Sequence, residues 1–265
     1  MVRWIDSILF NGEPIIQLRL SYMYKTVDTF YICESRYTHQ GKRKDVLFTE
    51  SLKAWFEPYM DKIVFVIQEE VPKGSSWDIE NSQRNYAVPK ILSDNAGKEY
   101  IVSVCDCDEI PDISVVKEYK ERLYETTSSG VCYMIQKLFY YNFNWYVVDW
   151  NRAFFMNNVL LEKTREVQIF RNRIPTQFTE FVCGWHLSYF MSKEDILRKI
   201  VSFAHTEYNL PKHKNIAYIE SCIEKGYDVF QRHEICRFQH LPEFVKSLPK
   251  EFQTFAETLK ELQKL

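Results

Sequence analysis

A cluster of acids follows one apolar stretch of the 265-residue sequence. In EYIVSVCDCDEIPD, residues 99–112, a mostly apolar run leads into Asp106, Asp108, Glu109 and Asp112. Carboxylates this close together repel one another, so they need open water or a cation nearby. Asp106 and Asp108 are two residues apart in an extended run, and we expect both side chains on the same side of a sheet. Such a pair suits Mg²⁺ or Mn²⁺, which take one or two carboxylates and fill their remaining positions with water and phosphate oxygens.

Three other interpretations of these acids were weighed against a metal clamp. A calcium loop would place Pro111 at its sixth position, which requires glycine. A zinc site with Cys105 and Cys107 lacks the usual ligand spacing and needs histidines from far away in the sequence. An acidic surface turn without a ligand is the most serious alternative, because triplets of this kind are common.

The elements around the acids indicate how they are positioned. WIDSILF, DTFYICES, IVFVIQEE and EYIVSVCDCDE have strand character, and helical segments such as PIIQLRLSYMYKTV and WDIENSQRNYAVPKILSD lie between them. This alternation is typical of a parallel sheet covered by helices, and ligands bind at the carboxyl edge of such a sheet. The aromatic segment GVCYMIQKLFYYNFNWYVVDW predicts antiparallel strands added to the sheet.

The last third of the chain predicts helices. Ser192 and Asp195 form a capping box ahead of an apolar helical face, and Gly226 ends a second helix. The tail LPKEFQTFAETLKELQKL reads as an amphipathic helix. We therefore expect an α/β fold with a mainly parallel central sheet, helices on both faces, antiparallel additions and C-terminal helices, in a single domain over residues 1–265.

Bulk composition restricts the classes of function. With 46% hydrophobic residues the chain can build a core, and a formal net charge of -2 gives no sign of a nucleic-acid partner. The seven cysteines lack paired spacing and several lie in apolar runs, so we expect reduced, structural thiols. The N-terminal apolar stretch is interrupted by Asp6 and by a turn at Asn11, which predicts no membrane span and a soluble, cytoplasmic protein.

Four ordered blocks of the sequence resemble glycosyltransferase family 17. They are FNGEPIIQLRL, VDTFYICESRYTHQGKRKDVLF, DCDEIP and GWHLSYF, spread over roughly residues 5–206. The resemblance implies a GT-A-type fold with a nucleotide-sugar-binding half up to about residue 112 and an acceptor-binding half from about residue 113 to 265. It also implies a UDP-sugar donor, most simply UDP-GlcNAc, an Mn²⁺ or Mg²⁺ ion, and an inverting transfer to a hydroxyl of a carbohydrate acceptor.

The resemblance and the chemistry together assign site residues for the metal and the proton. Asp106 and Asp108 are expected to hold the ion, with His186 of GWHLSYF as a further ligand or phosphate contact; the alternative for His186 is a core histidine. The acceptor hydroxyl needs a base within hydrogen-bonding reach. The candidates for that base are Glu109, Asp149 and Glu180.

Four residues are predicted to contact the donor. Arg84 falls where the family has a helical arginine, and its guanidinium suits a phosphate or the acids of the motif, although an exposed helix arginine is an equal alternative. Glu34 and Ser35 end the FYICES strand and are expected near the uridine or ribose, and Asp106 is shared with the metal. Arg19 is expected to have a structural role.

The remaining predictions concern the residues that face the acceptor and the alternative functions. One or two of Tyr141, Trp145 and Trp150 are expected to face an acceptor sugar, the others being core residues. His205 and Glu207 either approach the site or cap a helix. A nucleotidyl transferase or phosphohydrolase, and a non-catalytic carbohydrate-binding relative, remain the alternative functions.

Overall fold

The computed structural model describes residues 1–48, 51–128, 130–172, 179–238 and 241–263, without the side chains of Thr179, Glu180 and Pro242. The strands are β1 (Arg3–Phe10), β2 (Thr29–Ser35), β3 (Ile63–Gln68), β4 (Tyr100–Asp106), β5 (Glu109–Ile110), β6 (Cys132–Tyr140), β7 (Trp145–Trp150), β8 (Phe154–Asn157), β9 (Thr179–Ser188) and β10 (Cys236–Arg237). The α-helices are α1 (Ile16–Met23), α2 (Lys53–Phe56), α3 (Ser76–Tyr86), α4 (Val88–Asp94), α5 (Ile113–Thr126), α6 (Asn158–Thr164), α7 (Gln168–Arg171), α8 (Lys193–Ser202), α9 (Ile216–Lys225), α10 (Leu241–Ser247) and α11 (Lys250–Gln263). Short 3-10 helices cover Glu57–Lys62, Thr206–Tyr208 and Pro211–Lys214.

The first four strands form the parallel part of the sheet, in the order β3, β2, β1, β4. Successive residues of β1 point to opposite faces, so that Trp4 packs in one apolar cluster and Ile5 in another. Helices α1, α5 and α11 contribute to the first cluster, and α4, α6 and α7 to the second. The predicted parallel sheet with helices on both faces is therefore confirmed.

The antiparallel additions continue the same sheet beyond β4. Strand β8 pairs antiparallel with β4, and β6 pairs antiparallel with both β8 and β7. Strand β9 runs parallel to β6 and also pairs antiparallel with the two-residue strand β5. Strands from both halves of the chain thus belong to one ten-stranded sheet, and the motif after β4 lies where the parallel and antiparallel parts meet.

Local signals in the sequence set most element ends. The Ser192 side chain accepts the backbone N–H of Asp195 at the start of α8, and Gly226 ends α9 with a φ of 69°. The predicted single helix over WDIENSQRNYAVPKILSD is instead two helices, α3 and α4, that meet at Ala87. The break precedes Pro89, because proline lacks a backbone N–H and its ring clashes with the preceding helical turn.

Two further expectations concern reduced, structural cysteines and the absence of a membrane-spanning helix. None of the seven cysteines, all of which lie in the described ranges, forms a disulfide, and six of them are buried. Over the described ranges, no helix combines the length and the apolar character needed to cross a bilayer.

Candidate active site

The acidic motif turns away from the sheet directly after β4. The strand ends at Asp106, Cys107 and Asp108 form a turn, and Glu109 enters β5 opposite His186 of β9. The prediction that the two aspartates share one face of a strand is therefore wrong. Side-chain alternation does not continue beyond the end of a strand, and each carboxylate meets its own set of partners.

Arg19 holds this turn from below. Its side chain is fully buried and donates to both oxygens of Asp6, at 2.8 and 2.7 Å. The remaining nitrogen donates to the backbone carbonyl of Glu109 at 2.6 Å, with longer bonds to the carbonyls of Asp106 and Cys107 at 3.3 and 3.4 Å. Arg19 is thus structural in this fold: it fixes the backbone that presents the acids.

Asp106 is held between two arginines. Its Oδ1 accepts Nη2 of Arg84 at 2.9 Å and its Oδ2 accepts Nη2 of Arg171 at 2.6 Å. Burial alone would raise the pKa of Asp106, but Arg171 and Arg84 outweigh burial and hold the pKa well below its usual range. Arg84 also donates to Glu80 and Gln168. Each oxygen of Asp106 thus accepts from one arginine, and Asp106 orders two guanidinium groups beside the cleft.

Asp108 faces a lysine and a histidine. Its Oδ2 accepts Nζ of Lys199 at 3.0 Å, and its Oδ1 lies 3.5 Å from Nε2 of His186. Burial acts to raise the pKa of Asp108, but Lys199 and His186 together hold it well below its usual range. The Trp150 ring lies 5.0 Å from the His186 ring, and the Lys199 ammonium lies 5.4 Å from the ring centre of Tyr189.

Glu109, the third acid of the motif, is fully buried. Its Oε1 accepts Nε1 of Trp150 at 2.6 Å, and Arg171 donates to both oxygens at 2.7 Å. Its Oε2 also accepts the backbone N–H of Asp106 at 2.7 Å. A general base needs a free lone pair facing the acceptor hydroxyl. The structure gives Glu109 no such lone pair, so it positions Arg171 and the turn instead.

A cavity of about 620 Å³ opens above the turn. One wall comes from the end of β1 and one side of α3: Phe10, Asn11, Glu13, Trp77, Glu80 and Arg84. The opposite wall comes from the second half of the chain: Tyr140, Trp150, Tyr189, Phe203 and Arg232. The strand order reverses between β1 and β4, and such a switch point is where open α/β sheets bind ligands.

Aromatic and cationic groups line the outer part of the cavity. Trp77 is 42% exposed, and the His205 ring meets it edge-on with ring centres 4.6 Å apart. Arg232 lies over the Phe230 ring at 4.7 Å and donates to the hydroxyl of Tyr140 at 2.9 Å. The burial of Glu13, which is only partly offset by Lys199, raises the pKa of its carboxyl. These surroundings suit a flat ring and an anionic group side by side.

Of Tyr141, Trp145 and Trp150, the three aromatic residues predicted as possible acceptor contacts, one lines the cavity. Trp150 lines it, whereas Tyr141 is fully buried and donates through its hydroxyl to the carbonyl of Tyr227. The Trp145 indole donates to the carbonyl of Ile223 and packs beside α9. His205 lines the cavity, as one of its two predicted alternatives requires.

Glu34 and Ser35 do not line the cavity, contrary to the expected contact with the nucleoside. Glu34 is fully buried and accepts Nζ of Lys44 at 2.5 Å and the backbone N–H of Leu47 at 2.9 Å. The hydroxyl of Ser35 accepts the backbone N–H of Tyr37 at 3.1 Å. The loop after β2 folds back over both residues, so they anchor that loop.

Asp149 and Glu180 are the other two candidates for the base. Asp149 is exposed on β7 and accepts the hydroxyl of Tyr146 at 3.0 Å. Glu180 pairs through its backbone with Tyr133 near the start of β9, and its side chain lies outside the described part of the chain. The position of Asp149 is not compatible with the predicted catalytic contact, whereas the prediction for Glu180 concerns a side chain that lies outside the described residues.

Arg171 and Lys199 were missed by the sequence reasoning. Arg171 ends the four-residue helix α7, and nothing in the surrounding letters QIFRNR marks it. Lys199 carried a usable signal, because it follows Ile196 by three residues and so lies beside the apolar stripe of α8. A lysine at the edge of a buried stripe is placed to reach across a cleft.

The His, Cys, Asp and Glu side chains of the site determine whether a divalent ion could be held there. Over the part of the chain that the structure describes, no group of three or more His, Cys, Asp and Glu side chains is arranged to hold a metal. Asp108 and His186 nevertheless offer a carboxylate oxygen and a ring nitrogen 3.5 Å apart, and Nδ1 of His186 is buried without a hydrogen-bond partner among the described residues. Mg²⁺ and Mn²⁺ often take so few protein ligands when phosphate oxygens supply others. The pair fits such an ion, and each oxygen of Asp106 already accepts a hydrogen bond from an arginine.

A charged cleft at the switch point of the sheet defines an α/β protein with a candidate ligand site where such folds bind ligands. The chain belongs to glycosyltransferase family 17, whose family model matches residues 1–259. The β-1,4-mannosyl-glycoprotein 4-β-N-acetylglucosaminyltransferases of Rattus norvegicus and Homo sapiens are 23% identical to it over 84% of this chain. The match covers 48% of each relative, so the chain spans about half the length of the curated relatives it matches.

One solved structure has a partly similar fold. The mannosyltransferase PcManGT from Pyrobaculum calidifontis, in complex with GDP-Man and Mn²⁺, is 12% identical with a TM-score of 0.42. The superposition covers 98% of this chain and 84% of that one.

Proposed function

We propose that this chain is a metal-dependent, inverting glycosyltransferase that moves N-acetylglucosamine from UDP-GlcNAc to a hydroxyl of a glycan acceptor. The observation that carries the proposal is the turn after β4, where Asp106 and Asp108 each face cationic side chains that line a cleft. Family membership supports glycosyl transfer. The names of the rat and human relatives support the sugar.

The basic groups of the cleft would bind the diphosphate of the donor. Asp106 fixes the orientation of the Arg84 and Arg171 guanidinium groups. Hydrogen-bond donors that are already oriented can stabilise developing negative charge without first rearranging. Lys199 adds an ammonium group on the other side of the turn. Together these side chains would stabilise the negative charge that develops on the departing UDP.

Asp108 and His186 would hold the divalent ion. When bound there, Mn²⁺ or Mg²⁺ supplies Lewis-acid stabilisation of the phosphate oxygens. Trp150 packs against the His186 ring and limits its orientation. Asp106 contributes to this site through the arginines it orders.

The two halves of the chain would divide the substrates between them, except that Arg171, His186 and Lys199 of the second half would complete the donor site. The end of β1, the side of α3 that lines the cleft and the turn after β4 all lie before about residue 112 and would bind the nucleotide sugar. Residues of the second half, including Tyr140, Tyr189 and Arg232, form the facing wall and would bind the acceptor. We accordingly propose one domain with two functional halves.

A panel of UDP- and GDP-sugars assayed by nucleotide release, with glycans as acceptors, tests the activity. We expect UDP-GlcNAc turnover that requires Mn²⁺ or Mg²⁺. Asp108→Asn should lower turnover by at least about a hundredfold, because a metal ligand contributes several kcal/mol to the transition state. Asp61→Asn is the matched control, since Asp61 is exposed and bonded to the Tyr24 hydroxyl outside the cleft.

Two outcomes would contradict the proposal. An Asp108→Asn variant with full turnover would remove the metal assignment. UDP binding too weak to measure with or without Mn²⁺, together with no turnover of any sugar in the panel, would favour the non-catalytic carbohydrate-binding alternative.

A further inference from the structure

Among Arg84, Arg171 and Lys199, which pair with the carboxylates of the acidic motif, Lys199 makes the fewest hydrogen bonds. One hydrogen bond is described for its ammonium group, the 3.0 Å contact with Asp108. Arg84 donates to three side chains and Arg171 to two, one of which is the buried Glu109. A lysine ammonium on a flexible four-carbon stem can change partners without a change in the backbone. Lys199 is therefore the cation that a ligand could recruit.

A rigid helix carries Lys199. Helix α8 is capped by Ser192 and held to the core by Ile196 and Ile200, both fully buried. The side chain of Lys199 is 22% exposed and lines the cleft. Its Cα therefore stays in place while the ammonium group can swing between Asp108 and a ligand in the cavity.

The present partner of Lys199 is the carboxylate that would hold the divalent ion. Lys199 engages one oxygen of Asp108, and the other oxygen faces His186. An ion between Asp108 and His186 would lie within a few ångströms of the ammonium group. Like charges at this distance, in a site largely removed from water, repel strongly.

Each acid of the motif already has a cationic partner. Asp106 pairs with Arg84 and Arg171, Glu109 with Arg171 and Asp108 with Lys199, and Glu80 adds a further carboxylate beside Arg84. A divalent ion that entered alone would add net charge to this cluster. A divalent ion that entered with a sugar nucleotide would not, because each of the two phosphates of the nucleotide carries one negative charge.

We propose that Lys199 binds the diphosphate of the sugar nucleotide and that, until the nucleotide arrives, the same side chain keeps the divalent ion off Asp108. This inference rests on the proposed function and adds an order of binding to it. The ion joins the site together with the nucleotide, as Lys199 moves from Asp108 to a phosphate oxygen. Asp108 is thereby released to the ion without leaving a buried charge unpaired at any stage.

Mn²⁺ binding followed by electron paramagnetic resonance, with and without UDP, tests this order. We expect the unmodified protein to bind Mn²⁺ at least tenfold more tightly when UDP is present. Lys199→Met should bind Mn²⁺ without UDP at least tenfold more tightly than the unmodified protein, because Asp108 loses its competing cation. The same variant should bind UDP in the presence of Mn²⁺ at least tenfold more weakly.

The matched control is Lys193→Met. Lys193 begins the same helix and pairs with Glu220 outside the main cleft, so this variant should leave both affinities unchanged. Melting temperatures establish that each variant is folded, and Lys199→Gln serves as a second variant if Lys199→Met is not.

The outcomes separate this inference from the proposed function. Equal Mn²⁺ affinity with and without UDP in the unmodified protein would overturn the order of binding, whatever the variants do. A Lys199→Met variant with the unmodified protein's dependence on UDP would overturn the role of Lys199. In both cases normal UDP-GlcNAc turnover would leave the proposed function standing, and only the absence of turnover would count against that.

Discussion

Arg171 joins the partly exposed and the buried acids of the motif. It donates to Asp106 at 2.6 Å and to both oxygens of Glu109 at 2.7 Å, and its own side chain is 8% exposed. Burial acts to lower the pKa of Arg171, but the two acids raise it above its ordinary value, so its charge is fixed. A planar guanidinium can serve two carboxylates at once in a way that an ammonium group cannot.

Arg171→Met should lower the free energy of unfolding by about 3 to 5 kcal/mol, because it leaves a buried carboxylate without its cation. Arg171→Lys should recover part of this loss, since it restores the charge without the two-pronged geometry. Urea denaturation measures both values. Arg122→Met, at an exposed position of α5, should change the stability by less than about 0.5 kcal/mol. An Arg171→Met variant as stable as this control would contradict the structural role of Arg171.

At the scale of the element, β9 depends on one glycine. Gly184 has a φ of 97°, and a Cβ added to it would lie 2.1 Å from the backbone carbonyl oxygen of Ile110. The close approach is between β9 and β5, the two-residue strand that carries Glu109 opposite His186. The glycine of the GWHLSYF block thus allows the strand that holds the histidine to pack directly on the acidic motif.

Gly184→Ala should therefore destabilise the protein by at least about 2 kcal/mol, for two reasons. The backbone would be strained, and the added Cβ would clash with the Ile110 carbonyl, which is backbone and cannot move aside as a side chain can. Gly97→Ala separates these two causes. Gly97 also has a positive φ, of 72°, but an added Cβ there meets no atom within 4 Å. Gly97→Ala should lower the free energy of unfolding by about 1 kcal/mol, which is the contribution of backbone strain alone. Equal losses for the two variants in urea denaturation would show that the approach of β5 to β9 is not tight.

At the scale of the whole molecule, buried ionisable groups limit the pH range of stability. Asp106 and Asp108 have pKa values below the ordinary 3.8, because the cations beside them outweigh burial. A depressed carboxyl pKa contributes stability above the unfolded value, and this contribution is lost as the pH falls. Burial raises the pKa of the Cys33 thiol from 9.0 to about 12 and that of the Tyr100 hydroxyl from 10.0 to about 12. Their contribution is present below the unfolded values and is lost as the pH rises.

The melting temperature should therefore be nearly constant between about pH 5 and 8 and fall below about pH 4 and above about pH 9. Calorimetry across this range in buffers of equal ionic strength measures it. A melting temperature that rises on acidification below pH 4 would contradict the assigned charges of the two aspartates.

The sequence anticipated the parts of the site that depend on local pattern. Asp106, Asp108, Arg84 and His186 all line the cleft, as the motif and family blocks suggested. Glu34 illustrates the limit: its place at the end of β2 was foreseen, but the loop that folds over it was not. A strand's carboxyl end is readable from periodicity, whereas the course of the following loop depends on contacts distant in the sequence.

By itself, the sequence determined the order of strands and helices, the apolar faces of the sheet and the presence of an acidic turn after β4, because hydrophobic period and turn residues act locally. Tertiary structure alone decided which partner each acid meets. Arg171 and Lys199 lie 65 and 91 residues from the aspartates they contact. The direction of Asp108 depends on where β4 ends and on how α8 packs across the cleft, and no short stretch of sequence contains either fact.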